Sequence, residues 1–240
     1  MKYSKNLINT AFKLECSYSK YMLKSMCQAI TAHTVVLAEK KIIPHNKKKK
    51  IFSVLTNLIQ GSYNKVNIDK NRIDLFTNLD DYISSKIGKD SGWAQAGKAR
   101  RESVNISFLI SSKVLFLDFE SSLISLALKL DEVCASNKHI LMNDYTYLQH
   151  AQPTTLSHYL NTFIEPIKRD LKRLSQTYDL LDTSPGGSGS VNGTSLPISK
   201  NRIAKLLCFK NVTNHARDAL WQFDIPLQVI SCVLIVLTNI

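Results

Sequence analysis

Between Leu23 and Leu37 the apolar or nearly apolar positions Leu23, Cys27, Ile30, Thr34 and Leu37 advance by three or four residues, which predicts a helix with one buried face. Lysines dominate from Lys40 to Lys50 around Pro44. Phe52, Leu55 and Ile59 then resume helical spacing, and another short helix is expected from Leu75 to Ile87. From Ser103 to Leu130 there is neither glycine nor proline, and Val104, Leu115 and Leu126 lie 11 residues apart, as do Phe108, Phe119 and Leu130. That period, about 3.67 residues per turn, describes a long and nearly straight helix. Leu156, Leu160, Phe163, Ile167, Leu171, Leu174, Tyr178 and Leu181 keep the three-or-four step throughout. They predict a helix of roughly 40 Å, bent but not ended by Pro166. A third long helix is expected from near Arg217, still apolar at Ile240.

Helices of this length, each apolar along one stripe, must bury that stripe against one another. No strand-like alternation runs longer than a few residues. The expected class is all-α: a small N-terminal helical region, residues 1–96, followed by a long-helix bundle, residues 97–240, incomplete at its C-terminus.

Composition changes this picture little. A chain of 240 residues can bury a substantial core, and 44% hydrophobic with 21% charged residues excludes low-complexity and wholly disordered classes. The net charge of +12 raises a nucleic-acid or anionic-membrane partner. The excess is spread along the chain, however, and the run Lys47 to Lys50 reads as a solvated loop or helix start. Five cysteines with no C-x-x-C pair imply a reduced, intracellular compartment, and the cytoplasm is expected. Met1 to Leu14 lacks the apolar stretch of a secretory signal, and the 12 residues Val229 to Ile240 fall short of the roughly 20 a membrane helix needs.

Three polar segments flank the long helices. Ser91 to Ser103 places two glycines and the cations Lys98, Arg100 and Arg101 before a helix start, a setting equally suited to a carboxylate or phosphate and to an ordinary basic loop. Asn143 to Pro153 gathers Thr146, Gln149, Gln152 and two tyrosines, neutral hydrogen-bonding groups that could line a polar ligand site. A lone histidine there, His150, is more often structural than catalytic. Ser184 to Thr194 holds four of the eight glycines but follows a helix and lacks the closing Gly-Lys-Ser or Gly-Lys-Thr of a nucleotide loop. Its backbone amides and hydroxyls could still face a ligand or a neighbouring subunit. No Ser/His/Asp order, paired-carboxylate motif or zinc pattern stands out.

Taken together, the segments resemble the fumarase and aspartase superfamily of lyases, most closely argininosuccinate lyase. The family pattern Thr-His-Leu-Gln-x-Ala-Gln-Pro is matched by Thr146-Tyr147-Leu148-Gln149-His150-Ala151-Gln152-Pro153. Gly-Ser-Gly-x-x-x-Gly-Thr-x-x-Pro-Ile is matched from Gly187-Ser188-Gly189 through Gly193-Thr194 to Pro197-Ile198. Ala32-His33, Arg169-Asp170, Asp218-Ala219 and Asp224 add support. The resemblance implies removal of a proton beside a substrate carboxylate, then C–N cleavage releasing fumarate, with arginine as the other product and no metal or organic cofactor. It implies a homotetramer whose sites draw loops from three subunits. By position it assigns Arg100 and Thr146 as carboxylate contacts and Tyr147 as the group near the reacting carbon, with Lys98, Arg101, Gln149, Gln152 and Ser188 also lining the substrate.

Departures from the pattern matter as much. Gly-Arg-Ser-Arg-Asn-Asp-Gln becomes Gly97-Lys98-Ala99-Arg100-Arg101-Glu102-Ser103, so a substrate-contacting asparagine is Arg101 and could select a more anionic substrate. The family histidine is Tyr147, whose phenol titrates at about 10 where imidazole titrates at about 6.5. The Ser-Ser-x-x-Met-Pro-Gln-Lys loop that carries the family's catalytic serine is expected after residue 240. The chain therefore reads as a truncated or split lyase with little or no turnover of its own. The alternatives are a non-catalytic helical module that assembles with a complementing lyase chain, or a lyase for a different dicarboxylate. A basic protein for nucleic acid or a membrane surface rests on the charge alone, and neither partner is expected.

Overall fold

The computed structural model describes residues 3–240, and its contacts divide the chain into two compact units. The first comprises the residues up to Ser112 together with Asp182–Gln222, the second Lys113–Leu181 with Phe223–Ile240.

In the first unit, α1 (Lys5–Leu7), a π turn (Ile8–Phe12) and α2 (Lys13–Ser17) lead into α3 (Ser19–Glu39). The predicted face of α3 is buried at Leu23, Cys27, Ile30, Thr34 and Leu37. It packs with Ile51, Leu55 and Leu58 of α4 (His45–Ile59) and with Leu79 and Ile83 of α5 (Leu75–Ile87) in one apolar core. Pro44 directly precedes α4, where its missing N–H costs nothing. The lysine run lies inside the first turns of α4. Lys47 and Lys50 reach Asp90 at 3.1 and 3.6 Å, and Lys48 donates to the Ala38 carbonyl. Asp74 starts α5 by accepting from both the backbone N–H and the hydroxyl of Thr77, each at 2.8 Å. A 3-10 segment, Gly88–Gln95, then leads to α6 (Arg100–Ser136), a 37-residue helix that begins in the first unit and continues into the second.

The burial of α6 differs from the expected stripe. Leu109, Phe116 and Leu123, seven residues apart, are buried, whereas Leu115 and Leu126 of the 11-residue series are exposed. Both series are apolar, so composition alone could not choose the packed one.

The second polar segment, for which the sequence predicted no element, is a β-hairpin within the helical fold. β1 (Leu141–Thr146) pairs antiparallel with β2 (Gln149–Thr155), with a register shift between Asn143 and Tyr145. Neither strand builds an apolar face, so no alternation announces it, and Pro153 is tolerated because every strand of a two-stranded sheet is an edge. α7 (Leu156–Leu181) has the expected ends and runs through Pro166. A two-residue strand, β3 (Thr183–Ser184), pairs parallel with β4 (Asn211–Val212), the latter following α8 (Lys200–Leu206).

The expected third long helix is broken into α9 (Asp218–Trp221) and α10 (Asp224–Asn239). Gln222 leaves the helical region with ψ 68°. Pro226 explains the break: it cannot bond back to residue 222, yet it fits the first turn of a new helix begun by Asp224. In the second unit α10 packs on α7. Leu227, Ile230, Leu234 and Leu237 of α10 remain exposed. Among the described residues no helix is long and apolar enough to cross a membrane.

Candidate functional site

Glycine determines the geometry where the third segment turns. Gly187 and Gly189 have φ of 81° and 62°, and a Cβ on Gly189 would lie 2.3 Å from the Gly193 carbonyl oxygen. Gly186 is packed as closely, since its Cβ would lie 2.5 Å from a methyl of Ile203. The turn directs two backbone N–H groups at one carboxylate. Gly187 donates to Oε1 and Gly189 to Oε2 of Glu102, each at 2.8 Å. Glu102 is in the first turn of α6 and only 1% exposed. Burial pushes its carboxyl up, and the two amides and the charge of Lys98 oppose that rise.

Lys98 and His33 complete this buried group. The Lys98 ammonium nitrogen is buried, donates no hydrogen bond and lies 5.9 Å from the centre of the Phe76 ring. Burial lowers it to about 8, while Glu102 and Asp80 act to hold its proton. His33, 2% exposed, donates from Nε2 to the Ala96 carbonyl at 2.8 Å, because a carbonyl can only accept. Its Nδ1 lies 4.0 Å from Glu102 Oε1 without a hydrogen-bond partner. Burial, with Lys98 assisting, lowers His33 to about 3 and leaves it neutral, so the contact is not an ion pair.

The remaining expected site residues fall in two settings. Arg100 donates to Asp74, 3.0 Å from Nη1 to Oδ2, so the cation expected to hold a substrate carboxylate already holds an internal one. Arg101 is exposed. Ser188 is fully buried and its hydroxyl donates to the Pro185 carbonyl at 2.7 Å. These three, with Lys98, belong to the first unit. Thr146, Tyr147, Gln149 and Gln152 belong to the second and are exposed along the hairpin. Thr146 pairs with Gln149 across a two-residue turn, where Tyr147 (φ 49°, 97% exposed) and Leu148 (φ 61°, 94% exposed) both adopt the left-handed conformation. Non-glycine residues adopt it at a cost, and bulky ones at such a tip suggest use rather than stability.

Sequence reasoning missed Glu102 and Asp74. A glycine-rich turn with free amides signals an anion without saying where the anion comes from, and here an acid in the first turn of the adjoining helix supplies it.

A family profile described as Lyase matches residues 5–240. The chain belongs to this lyase family. It is 32% identical over 219 residues to the argininosuccinate lyase of Methanosphaera stadtmanae, covering 91% of this chain and 47% of that one. It is 30% identical to the argininosuccinate lyase of Clostridium perfringens, covering 98% and 50%. The chain thus spans about half the length of the curated relatives it matches. Its fold is that of EDDS lyase, solved in complex with formate, with TM-score 0.82, 19% identity and coverage of 99% of this chain and 47% of that one. A class II fumarase from Schistosoma mansoni matches with TM-score 0.77 at 13% identity, covering 91% and 54%. The helical lyase fold expected from the sequence is therefore present.

Proposed function

We propose that this chain supplies part of the site of a cytoplasmic, homo-oligomeric carbon–nitrogen lyase of the argininosuccinate lyase type, which releases fumarate by β-elimination without a cofactor. The observation that carries the proposal is the 32% identity to an argininosuccinate lyase across 91% of the chain. The exposed hairpin tip supports it, since a residue at 97% exposure is available to a substrate or a second subunit. In this reading Tyr147 approaches the reacting carbon, Thr146, Gln149 and Gln152 hold polar parts of the substrate, and Arg100 and Arg101 border the carboxylate side, while Lys98 and Ser188, their polar groups buried at the glycine-rich turn, support it without touching the substrate. Arg101 favours a more anionic dicarboxylate than argininosuccinate.

The exposed apolar residues of α10 favour a second reading, a non-catalytic module that assembles with a lyase chain. One assay separates the two. Fumarate release from argininosuccinate is followed for the chain alone and for the chain co-expressed with the C-terminal half of the Methanosphaera stadtmanae enzyme. The lyase reading expects little turnover alone, turnover in the assembly, and a rate that rises with Tyr147→His. A stable assembly that turns over neither argininosuccinate nor more anionic amino dicarboxylates, either with Tyr147 in place or with the Tyr147→His substitution, leaves only the assembly role.

A further inference from the structure

The glycine-rich turn has the form of an anion nest, and its ligand is part of the same chain. Two convergent N–H groups at 2.8 Å on separate oxygens form a bidentate, charge-assisted clamp, stronger than neutral hydrogen bonds. The site is fully enclosed: Gly186, Gly187, Ser188 and Gly189 are buried, as is Glu102. Packing of Gly186 on Ile203 and of Gly189 on Gly193 leaves no room for a larger residue. The turn also shapes the loop after it. Gly193 donates to the Ser188 carbonyl at 3.0 Å and Asn192 to that of Ser190 at 2.7 Å, closing a tight loop in which Val191 has φ 56° and Ser190 and Asn192 are exposed.

We propose that Glu102 is a positioning residue: its carboxylate permanently occupies the anion nest of Gly187 and Gly189, closes that nest to substrate carboxylates or phosphates, and thereby holds the Ser190–Gly193 loop in one conformation. Lys98 supplies the compensating positive charge, and the neutral His33 fills the remaining side without competing for the amides. A substrate carboxylate must then be bound elsewhere, and the glycines are required for a latch rather than for contact with ligand. The occupied nest is independent of the reaction; only its effect on turnover rests on the lyase reading.

The test is amide hydrogen exchange at Gly187 and Gly189 in the labelled chain, with sodium acetate as the probe anion. In the wild-type chain both amides exchange slowly and acetate leaves their resonances unmoved. Glu102→Ala accelerates both by about ten- to a hundredfold, as expected for loss of a charged acceptor, and acetate slows them again by entering the emptied nest. Glu102→Asp, one methylene short, releases at least one amide. Equal exchange in wild type and variants overturns the proposal. So does movement of the wild-type resonances on adding acetate, or acceleration in Glu102→Ala that acetate does not reverse. If the variants do not fold, the wild-type amide shifts of Gly187 and Gly189 must follow the titration of the Glu102 carboxyl carbon, and independent titration overturns the assignment. In the co-expressed assembly, Glu102→Gln is expected to raise KM more than it lowers kcat. Absence of all turnover would count against the lyase reading and leave the exchange result standing.

Discussion

Asn239 donates from one amide nitrogen to both oxygens of Asp170, at 3.1 and 2.9 Å, and so ties the last turn of α10 to the middle of α7. Asp170 is fully buried and also accepts from Arg173 Nη1 at 2.6 Å. Asn239→Ala leaves a buried carboxylate short of a donor and is expected to destabilise the chain by about 1–3 kcal/mol. Asn239→Asp, which sets one carboxylate against another, should cost more. Urea denaturation checks both, and an Asp variant as stable as the wild type would show the contact to be negligible.

The hairpin tip should be stabilised by residues that accept left-handed backbone. Replacing Tyr147-Leu148 with Asn-Gly relieves about 1–2 kcal/mol per non-glycine residue held at positive φ. Slower amide exchange across β1 and β2 is the expected readout. Activity of the co-expressed assembly should fall in the same variant, since the tip would be more stable but would lack its phenol.

His33 makes the first unit acid-sensitive. Its folded-state value, about 3, lies below the unfolded value of about 6.5, so the unfolded chain binds the extra proton between these limits. The stability due to neutral His33 is complete above pH of about 6.5 and is lost as pH falls toward 3, by up to about 4–5 kcal/mol. Glu102, raised by burial, contributes the opposite slope above its ordinary value, so the comparison must be differential. Stability of wild type minus that of His33→Gln, measured across the acid range, should decline with falling pH; a flat difference would mean that His33 takes up its proton as readily in the fold as in the unfolded chain.

Gly189 and Gly92 should respond unequally to alanine. At Gly189 the methyl would meet the Gly193 carbonyl at 2.3 Å on a backbone with φ 62°, and a loss of more than about 2 kcal/mol is expected. At Gly92 no atom lies within 4 Å and the backbone is ordinary, so the change should stay within about 0.5 kcal/mol. Thermal denaturation of the two variants is sufficient to compare them.

The ends of α5 and α7 could be read directly from the chain because each is an uninterrupted helical stripe bounded by residues that stop or start helices. The break before Asp224 was missed: Pro226 signals it, but the apolar run around it masks that signal. The hairpin could not be read, since polar residues on both faces leave no periodicity. Of the site, the polar segments and their family pattern were visible, whereas the partners of Arg100 and of the glycine amides were not.

Local spacing therefore determined most of the helical elements, and the resemblance of the polar motifs pointed to the family, because helix periodicity and motif order are properties of neighbouring residues. Tertiary structure alone decided which stripe of α6 is buried, that Asp74 takes Arg100, and that Glu102 fills the turn formed 85 residues further along the chain. A charge selects its partner by distance in space, and sequence separation does not encode that distance until the chain has folded.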